Sequence, residues 1–316
     1  MIHACDISLV IPLLNEKVLI PELVRRSSNA LSSISARWEL IVVDDGSSDG
    51  TLEAIKAERA SEPRVRYISL SRNFGHQLAI TAGLDAARGG AVVIMDGDLQ
   101  DPPELIPELY AKHKEGFQVV YAKRRRREDE SFWKKWSAAV FYRALRRITR
   151  IDIPLDTGDF RLISAKVLHR LGEMRERDRF LRGQIAWLGF RQTFVLYNRQ
   201  GRAAGTGKYT VRKMIGLAMA GVLSFSSLPL RLATFFGFLV SFIAFCIILY
   251  ALWSKHTQGD VISGWTSMIV STMFIGGVQL ICLGIIGEYV NRISQEVRQR
   301  PMYVVDERSE EPLSAG

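Results

Sequence analysis

The chain has 316 residues, 47% of them hydrophobic, so it has the material for a packed core and is not a disordered segment. Its formal net charge of +9 is concentrated: residues 123–150 hold eleven Lys/Arg against three acids, a block that seeks polyanions such as nucleic acid or an anionic lipid surface. Three scattered cysteines (Cys5, Cys246, Cys282), with no CxxC or Cys/His cluster, speak against zinc and fit a reducing compartment without disulfides.

In chain order, MIHACDISLVIP has neither a basic start nor a long apolar stretch, so it does not read as a signal peptide. ISLVIP (7–12) reads as a strand, followed by a helical stretch at about 17–36. The strand ELIVVDD (39–45), a helix at 50–61, the strand VRYISL (65–70) and a helix at 76–88 come next. AVVIM (91–95), a helix at 103–115 and FQVVYA (117–122) complete the series. Pro102-Pro103 suits a helix start. The alternation predicts an α/β fold with a mostly parallel sheet and helices on both faces.

In such sheets ligands bind outside the carboxyl ends of the strands, and the polar clusters fall there. Asn15-Glu16 follows the first strand, Asp44-Asp45 ends the second, and Asp96 and Asp98 follow AVVIM. Neither GxGxxG nor GxxxxGK[ST] is present, so a bound nucleotide needs some other neutraliser for its phosphates. In MDGDLQDPPE (95–104), an extended chain would turn Asp96, Asp98 and Gln100 the same way. Three such oxygens select a hard cation, Mg²⁺ or Mn²⁺, and Gly97 leaves room for a ligand against the backbone. Asp101 to Glu104 reads as a turn that opens the next helix. In VVDDGSSDGT (42–51), Ser48-Asp49 reads as a turn and helix cap, while a carboxylate at Asp44 or Asp45 can accept from a base N–H or a ribose hydroxyl.

Two uncharged runs of 22 residues, Leu232–Trp253 and Trp265–Ile286, each exceed the roughly 20 residues that span a bilayer, and the short link between them predicts a helical hairpin. Flanking Arg/Lys before the first and after the second place both ends in the cytoplasm. From Phe132, Trp133, Trp136, Val140, Ala144 and Ile148 form a stripe opposite Lys135, Arg143, Arg146 and Arg150. That stripe fits a helix in the headgroup region or one packed on the sheet, and residues 123–131 fit a loop over the site. Nucleic acid is the weaker reading beside two membrane spans.

Taken together, PLLNE (12–16), VDDGSSD (43–49), DGDLQDPP (96–103) and the two spans resemble family 2 glycosyltransferases. Within them the chain is similar to the polyprenyl-phosphate glycosyltransferases, of the dolichyl-phosphate mannose synthase kind. It is nearest the bacterial undecaprenyl-phosphate (bactoprenol) glucosyltransferase type. DTGDFRL (156–162), RFLRGQIAWLGF (179–190) and YNRQGRAAGTGKYTVRKMI (197–215) extend the likeness, with one departure: AGTGKY (204–209) stands where relatives read AGETKY. Processive polysaccharide synthases carry a QxxRW-type motif and more spans, whereas Gln184-Ile-Ala-Trp187 lacks the arginine.

The resemblance implies a GT-A fold, a nucleotide-sugar donor (UDP-glucose first), a polyprenyl phosphate acceptor, inversion at the anomeric carbon and Mg²⁺ or Mn²⁺. It assigns the metal to Asp96, Asp98 and Gln100, and the nucleotide sugar to Pro12, Asn15, Glu16, Asp44, Asp45, Ser47, Asp96 and Gly97. Asp159, with Asp156 second, becomes the candidate base or positioning group. Arg161, Arg182, Arg202 and Lys208 become candidates for the acceptor phosphate. That phosphate is largely ionised at neutral pH, so it needs positioning more than deprotonation. The organisation expected is a cytoplasmic domain over 1–210, an interfacial segment at 211–230, two membrane helices within 231–290 and a cytoplasmic tail at 291–316. The protein is expected to be multi-pass in the inner membrane, without nucleic acid. The tail starts β-like at Met302–Val305, ends frayed, and offers a strand to a second copy in a homo-oligomer.

Overall fold

The structure, a computed structural model, describes residues 4–125, 157–177, 179–198 and 264–309, with scattered positions between 233 and 253. Two compact units emerge: residues 1–210 with 301–316, and residues 211–300.

The first unit is built on an eight-stranded sheet. Its strands are β1 (Cys5–Leu13), β2 (Trp38–Asp44), β3 (Val65–Leu70), β4 (Gly89–Ile94), β5 (Val119–Arg124), β6 (Thr157–Ser164), β7 (Gln192–Tyr197) and β8 (Val305–Arg308). The spatial order is β7-β5-β6-β4-β1-β2-β3-β8. β1 lies between β2 and β4, parallel to both, and is apolar on both faces because both are covered. Ile7, Leu9, Ile11 and Leu13 point into one core with α1 (Ile20–Ser32), α2 (Thr51–Ser61) and α4 (Ile106–Lys114). Val10 joins the opposite core with α3 (His76–Ala86), α5 (Ala165–Glu173) and α6 (Leu181–Trp187). On α1, Ile20, Leu23 and Leu31 are fully buried, each worth about 1.5–3 kcal/mol relative to exposure.

Helix starts follow local chemistry. Pro21 lies in the first turn of α1, where its missing N–H has no helical partner to lose. A 3₁₀ turn at Pro103–Leu105 leads into α4, and the Ser164 hydroxyl accepts from Val167 N to cap α5.

Two features depart from the sequence reading. β5 does not lie beside β4, because β6 inserts between them, antiparallel to both. The tail is not a free end awaiting another subunit: β8 pairs antiparallel with β3 of its own sheet. Polar contacts outweigh its weak apolar pattern there. Glu307 accepts from Lys56 Nζ (2.7 Å) and Tyr67 Oη (2.6 Å), and Ser71 N donates to Val304 O (3.0 Å).

In the second unit, α7 (Trp265–Val297) runs 33 residues, and Ser271–Val297 is long and apolar enough to cross a membrane. Met273, Phe274, Leu280, Ile281 and Leu283 are exposed along it. The described positions of the 233–253 run that carry large apolar side chains, Phe238 and Phe242 among them, are exposed as well. The basic stretch from 126 to 150, Asp156, Arg202, Lys208 and the 211–230 segment lie outside the described residues.

Candidate active site

The loops after β1, β2 and β3 are tied together at the carboxyl end of the sheet. Asn15 takes a left-handed conformation (φ 56°), which its short polar side chain tolerates. Its N–H donates to Ser47 Oγ and its Oδ1 accepts from Ser48 N, both at 2.9 Å. Glu16 N donates to Thr51 Oγ1 at 3.0 Å. Asp49 accepts from Thr51 N and Lys17 N, which opens α2. Pro12 is buried in β1 opposite Val43, beyond the last residue of β1 paired with β4.

The two β2 acids are similarly engaged. Asp44 accepts from Ser47 N (3.2 Å) and Ser69 Oγ (3.3 Å). Asp45 accepts from Phe74 N (2.7 Å) and Gly75 N (3.0 Å). Burial lifts the Asp45 carboxyl above its ordinary range, and the two backbone bonds only partly offset this. Gly46 is required by the same junction: at φ 75°, a Cβ would come within 2.5 Å of the Arg72 carbonyl carbon. Asp45 therefore holds the loop that presents His76, the first residue of α3.

A second cluster forms where β4 meets β6. The antiparallel register pairs Ile94 with Arg161, so continuing it past Ile94 brings Asp159 to Asp96. His76 Nε2 lies 3.2 Å from Asp159 Oδ2 and 3.4 Å from Asp96 Oδ1. The ligand atoms of His76, Asp96 and Asp159 all fall within 4.8 Å of one another. Arg182 grips Asp159 with two bonds, Nε to Oδ1 at 2.9 Å and Nη2 to Oδ2 at 3.2 Å. The fully buried Arg161 adds a third, from Nη2 at 2.9 Å.

These surroundings drive the two carboxyls apart. Burial pushes Asp96 up to about 6, with Asp159, Asp101 and Asp98 adding repulsion and His76 opposing it. At Asp159, burial acts upward, but the His76 hydrogen bond and the Arg182 and Arg161 charges outweigh it and hold the carboxyl far below the usual range. Asp159 is therefore ionised and a weak base, suited to holding cations in place. Asp96 Oδ1 is shielded from solvent and accepts no hydrogen bond.

The DGDLQD segment differs from its expected shape. β4 ends at Ile94, residues 97–98 turn, and Leu99 has φ 55°. The extended alternation that would aim Asp96, Asp98 and Gln100 together does not exist. Asp98 Oδ1 instead accepts from Gln100 N at 3.1 Å, and Gln100 is buried. Gly97 does not leave open space on the side where a side chain would project. A Cβ there would sit 2.0 Å from Leu13 Cδ2, so this glycine permits packing on β1. Asp101, expected only to turn the chain, is fully buried, accepts from Tyr197 Oη and lies 3.8 Å from Arg124 Nη2.

His76 went unassigned in the sequence reading. The rule that selected polar residues after β1, β2 and β4 would also have selected it, in SRNFGHQ after β3.

Comparison with known proteins gives the family. The family model for glycosyl transferase family 2 matches residues 8–172, and one for the GtrB C-terminal hairpin matches 228–293. The chain is 46% identical over 298 residues to the uncharacterized glycosyltransferase YkcC of Bacillus subtilis, covering 94% of this chain and 92% of that one. It is 39% identical over 302 residues to the bactoprenol glucosyl transferase of Shigella phage SfII, covering 95% and 97%. Among solved structures, glucosyl-3-phosphoglycerate synthase from Mycobacterium tuberculosis, with Mn²⁺, uridine diphosphate and phosphoglyceric acid, is 21% identical. It aligns with a TM-score of 0.47 over 70% of this chain and 78% of that one. With the strand ends, the mixed sheet and these full-length relatives in agreement, the chain belongs to glycosyl transferase family 2, is a glycosyltransferase of GT-A fold, and carries the C-terminal hairpin of the GtrB kind.

Proposed function

We propose that this glycosyltransferase moves a hexose, glucose from UDP-glucose, onto the phosphate of a polyprenyl lipid at the cytoplasmic face of the inner membrane, with inversion. The observation that carries the reading is the near full-length likeness to a bactoprenol glucosyl transferase. The α7 span and the hairpin match support a membrane acceptor, and the Arg/Lys flanks of the two apolar runs support a cytoplasmic catalytic unit. The 1–210, 211–230, 231–290 and 291–316 organisation belongs to the same proposal, with residues 301–309 now part of the catalytic sheet.

The residues fit a divalent cation, Mg²⁺ or Mn²⁺: a shielded carboxylate oxygen on Asp96 that accepts no hydrogen bond, in an oxygen-rich cluster, is what such an ion neutralises. Asp96 would hold it, with Asp98 and Gln100 beside it on the turn. Once bound, the ion supplies Lewis-acid stabilisation of the departing diphosphate.

The chain's own residues do the rest. Asp44, Asp45, Asn15, Glu16, Ser47 and Pro12 shape the nucleotide end, Asp45 by fixing the 72–75 loop and Asn15 with Ser47 by locking two loops together. Asp159 positions Arg182 for the acceptor phosphate, and Arg161, assigned to that phosphate by resemblance, is fully buried and instead braces Asp159 from behind. Arg202 and Lys208 are assigned to the same phosphate by resemblance, and Asp156 is held as the alternative positioning acid.

The test is a panel of UDP- and GDP-sugars with undecaprenyl phosphate and Mg²⁺ or Mn²⁺, followed by mass analysis of the lipid. The expected product carries one hexose per lipid, made fastest from UDP-glucose. A polymer, or no turnover with any donor, would overturn the reading.

A further inference from the structure

We propose that His76 is a nitrogen ligand of the divalent cation, together with Asp96 and Asp159, and that it biases the site toward Mn²⁺ over Mg²⁺. The proposal rests on the reading that this cluster takes a divalent cation, and goes beyond it by naming a ligand outside the acidic motif. Adjacent ligands of an octahedral ion with bonds of about 2.1 Å stand about 3 Å apart. His76 Nε2 stands 3.4 Å from Asp96 Oδ1 and 3.2 Å from Asp159 Oδ2, so these two edges need only a few tenths of an ångström, and the two carboxylates, within 4.8 Å of each other, can take opposite positions of the shell, about 4.2 Å apart.

Two further observations point the same way. Asp96 Oδ1, on the edge of this triangle, is shielded from solvent and accepts no hydrogen bond. The imidazole is also held in place. Its loop is clamped by two backbone N–H bonds to Asp45, and Gln77, the next residue, accepts from Leu181 N at 3.3 Å. A metal ligand needs such fixing.

Charge also balances. Arg161 and Arg182 both pair with Asp159, so a divalent ion supplies the positive charge that Asp96 lacks and that a diphosphate requires. Mg²⁺ favours an all-oxygen shell, while an imidazole nitrogen suits first-row transition ions, so a His/Asp/Asp set selects Mn²⁺.

The test is pulsed electron paramagnetic resonance on the full-length protein loaded with Mn²⁺ alone. Nitrogen-14 modulation from a directly bound imidazole is expected, converted to a nitrogen-15 pattern by labelled histidine and lost in His76→Gln. In that variant the ratio of Mn²⁺ to Mg²⁺ affinity, measured by competition, should fall about tenfold or more. The labelling experiment needs no substitution and stands even if the variant folds poorly. Mn²⁺ bound without nitrogen modulation would overturn the role of His76 and leave the cation reading intact. No Mn²⁺ binding by the unaltered protein would overturn both.

Discussion

Two strand ends in this sheet carry paired acids, and they have opposite characters. At the end of β2, Asp44 and Asp45 are satisfied: four donors, from the loop after β2, from β3 and from the loop after β3, converge on them. At the end of β4, Asp96 keeps a shielded oxygen that accepts no hydrogen bond, and burial first, then the neighbouring acids, raise its carboxyl. The first pair is mortar between loops. The second is a site left short of positive charge, which ligand binding corrects. Acidic motifs of similar appearance thus separate by their hydrogen-bond accounts, which no spacing rule contains.

The contrast is open to direct tests. The largest effect is expected at Asp159→Ala, which removes the carboxylate that the fully buried Arg161 pairs with. Breaking a buried pair in this way costs about 3–5 kcal/mol, so the catalytic unit should melt much earlier and turnover should vanish. A variant that melts normally would mean that Arg161 is held by something else.

Asp96→Asn removes a crowded charge instead. Transfer should fall by about 10³-fold with loss of the cation, while the metal-free protein should melt no earlier than the parent. Mn²⁺ should raise the melting temperature of the parent and not of the variant. A clear loss of metal-free stability would place Asp96 among the structural acids and dissolve the distinction.

Asp45→Ala is the complementary case. It strands two backbone N–H groups, and about 1–3 kcal/mol of stability should go. Mn²⁺ should still stabilise the variant. The smallest effect is expected from Glu307→Gln at the β8 edge. Its pair with Lys56 is about two-fifths exposed on both sides, so the melting temperature should scarcely change and transfer should be unaffected.

Much of this was legible in the sequence, for physical reasons. β1, β2 and β4 are buried on both faces, so they appear as near-continuous apolar runs whatever surrounds them. β6 escapes such reading because TGDFRLIS carries Asp159 and Arg161, charges that neutralise each other only in the folded chain. β8 escapes because VDER has no apolar alternation and is held by Glu307 and by the backbone of β3. At the site, Asp96 and Asp159 were marked by motif, but their meeting depends on the β4–β6 register, which brings together two residues 63 positions apart in the chain. The turn after Ile94 was hidden because Asp, Gly and Gln suit an extended chain and a tight bend alike. His76 was hidden by company, since a single histidine beside Phe74 and Gly75 announces nothing until two distant carboxylates reach it.

The position of β8 has a consequence for how the enzyme is made. The strand that closes the β3 edge is encoded after the hairpin, so the apolar hairpin is an interruption within the catalytic unit rather than an appendage to it. A ribosome delivers the last strand only once both apolar segments have emerged, and until then the β3 edge is bare. A soluble fragment cut at about residue 210 would keep that edge open to its neighbours and invite aggregation. Splicing residue 210 to residue 301 through a short polar linker would restore the strand and give a water-soluble catalyst suited to metal and nucleotide titrations.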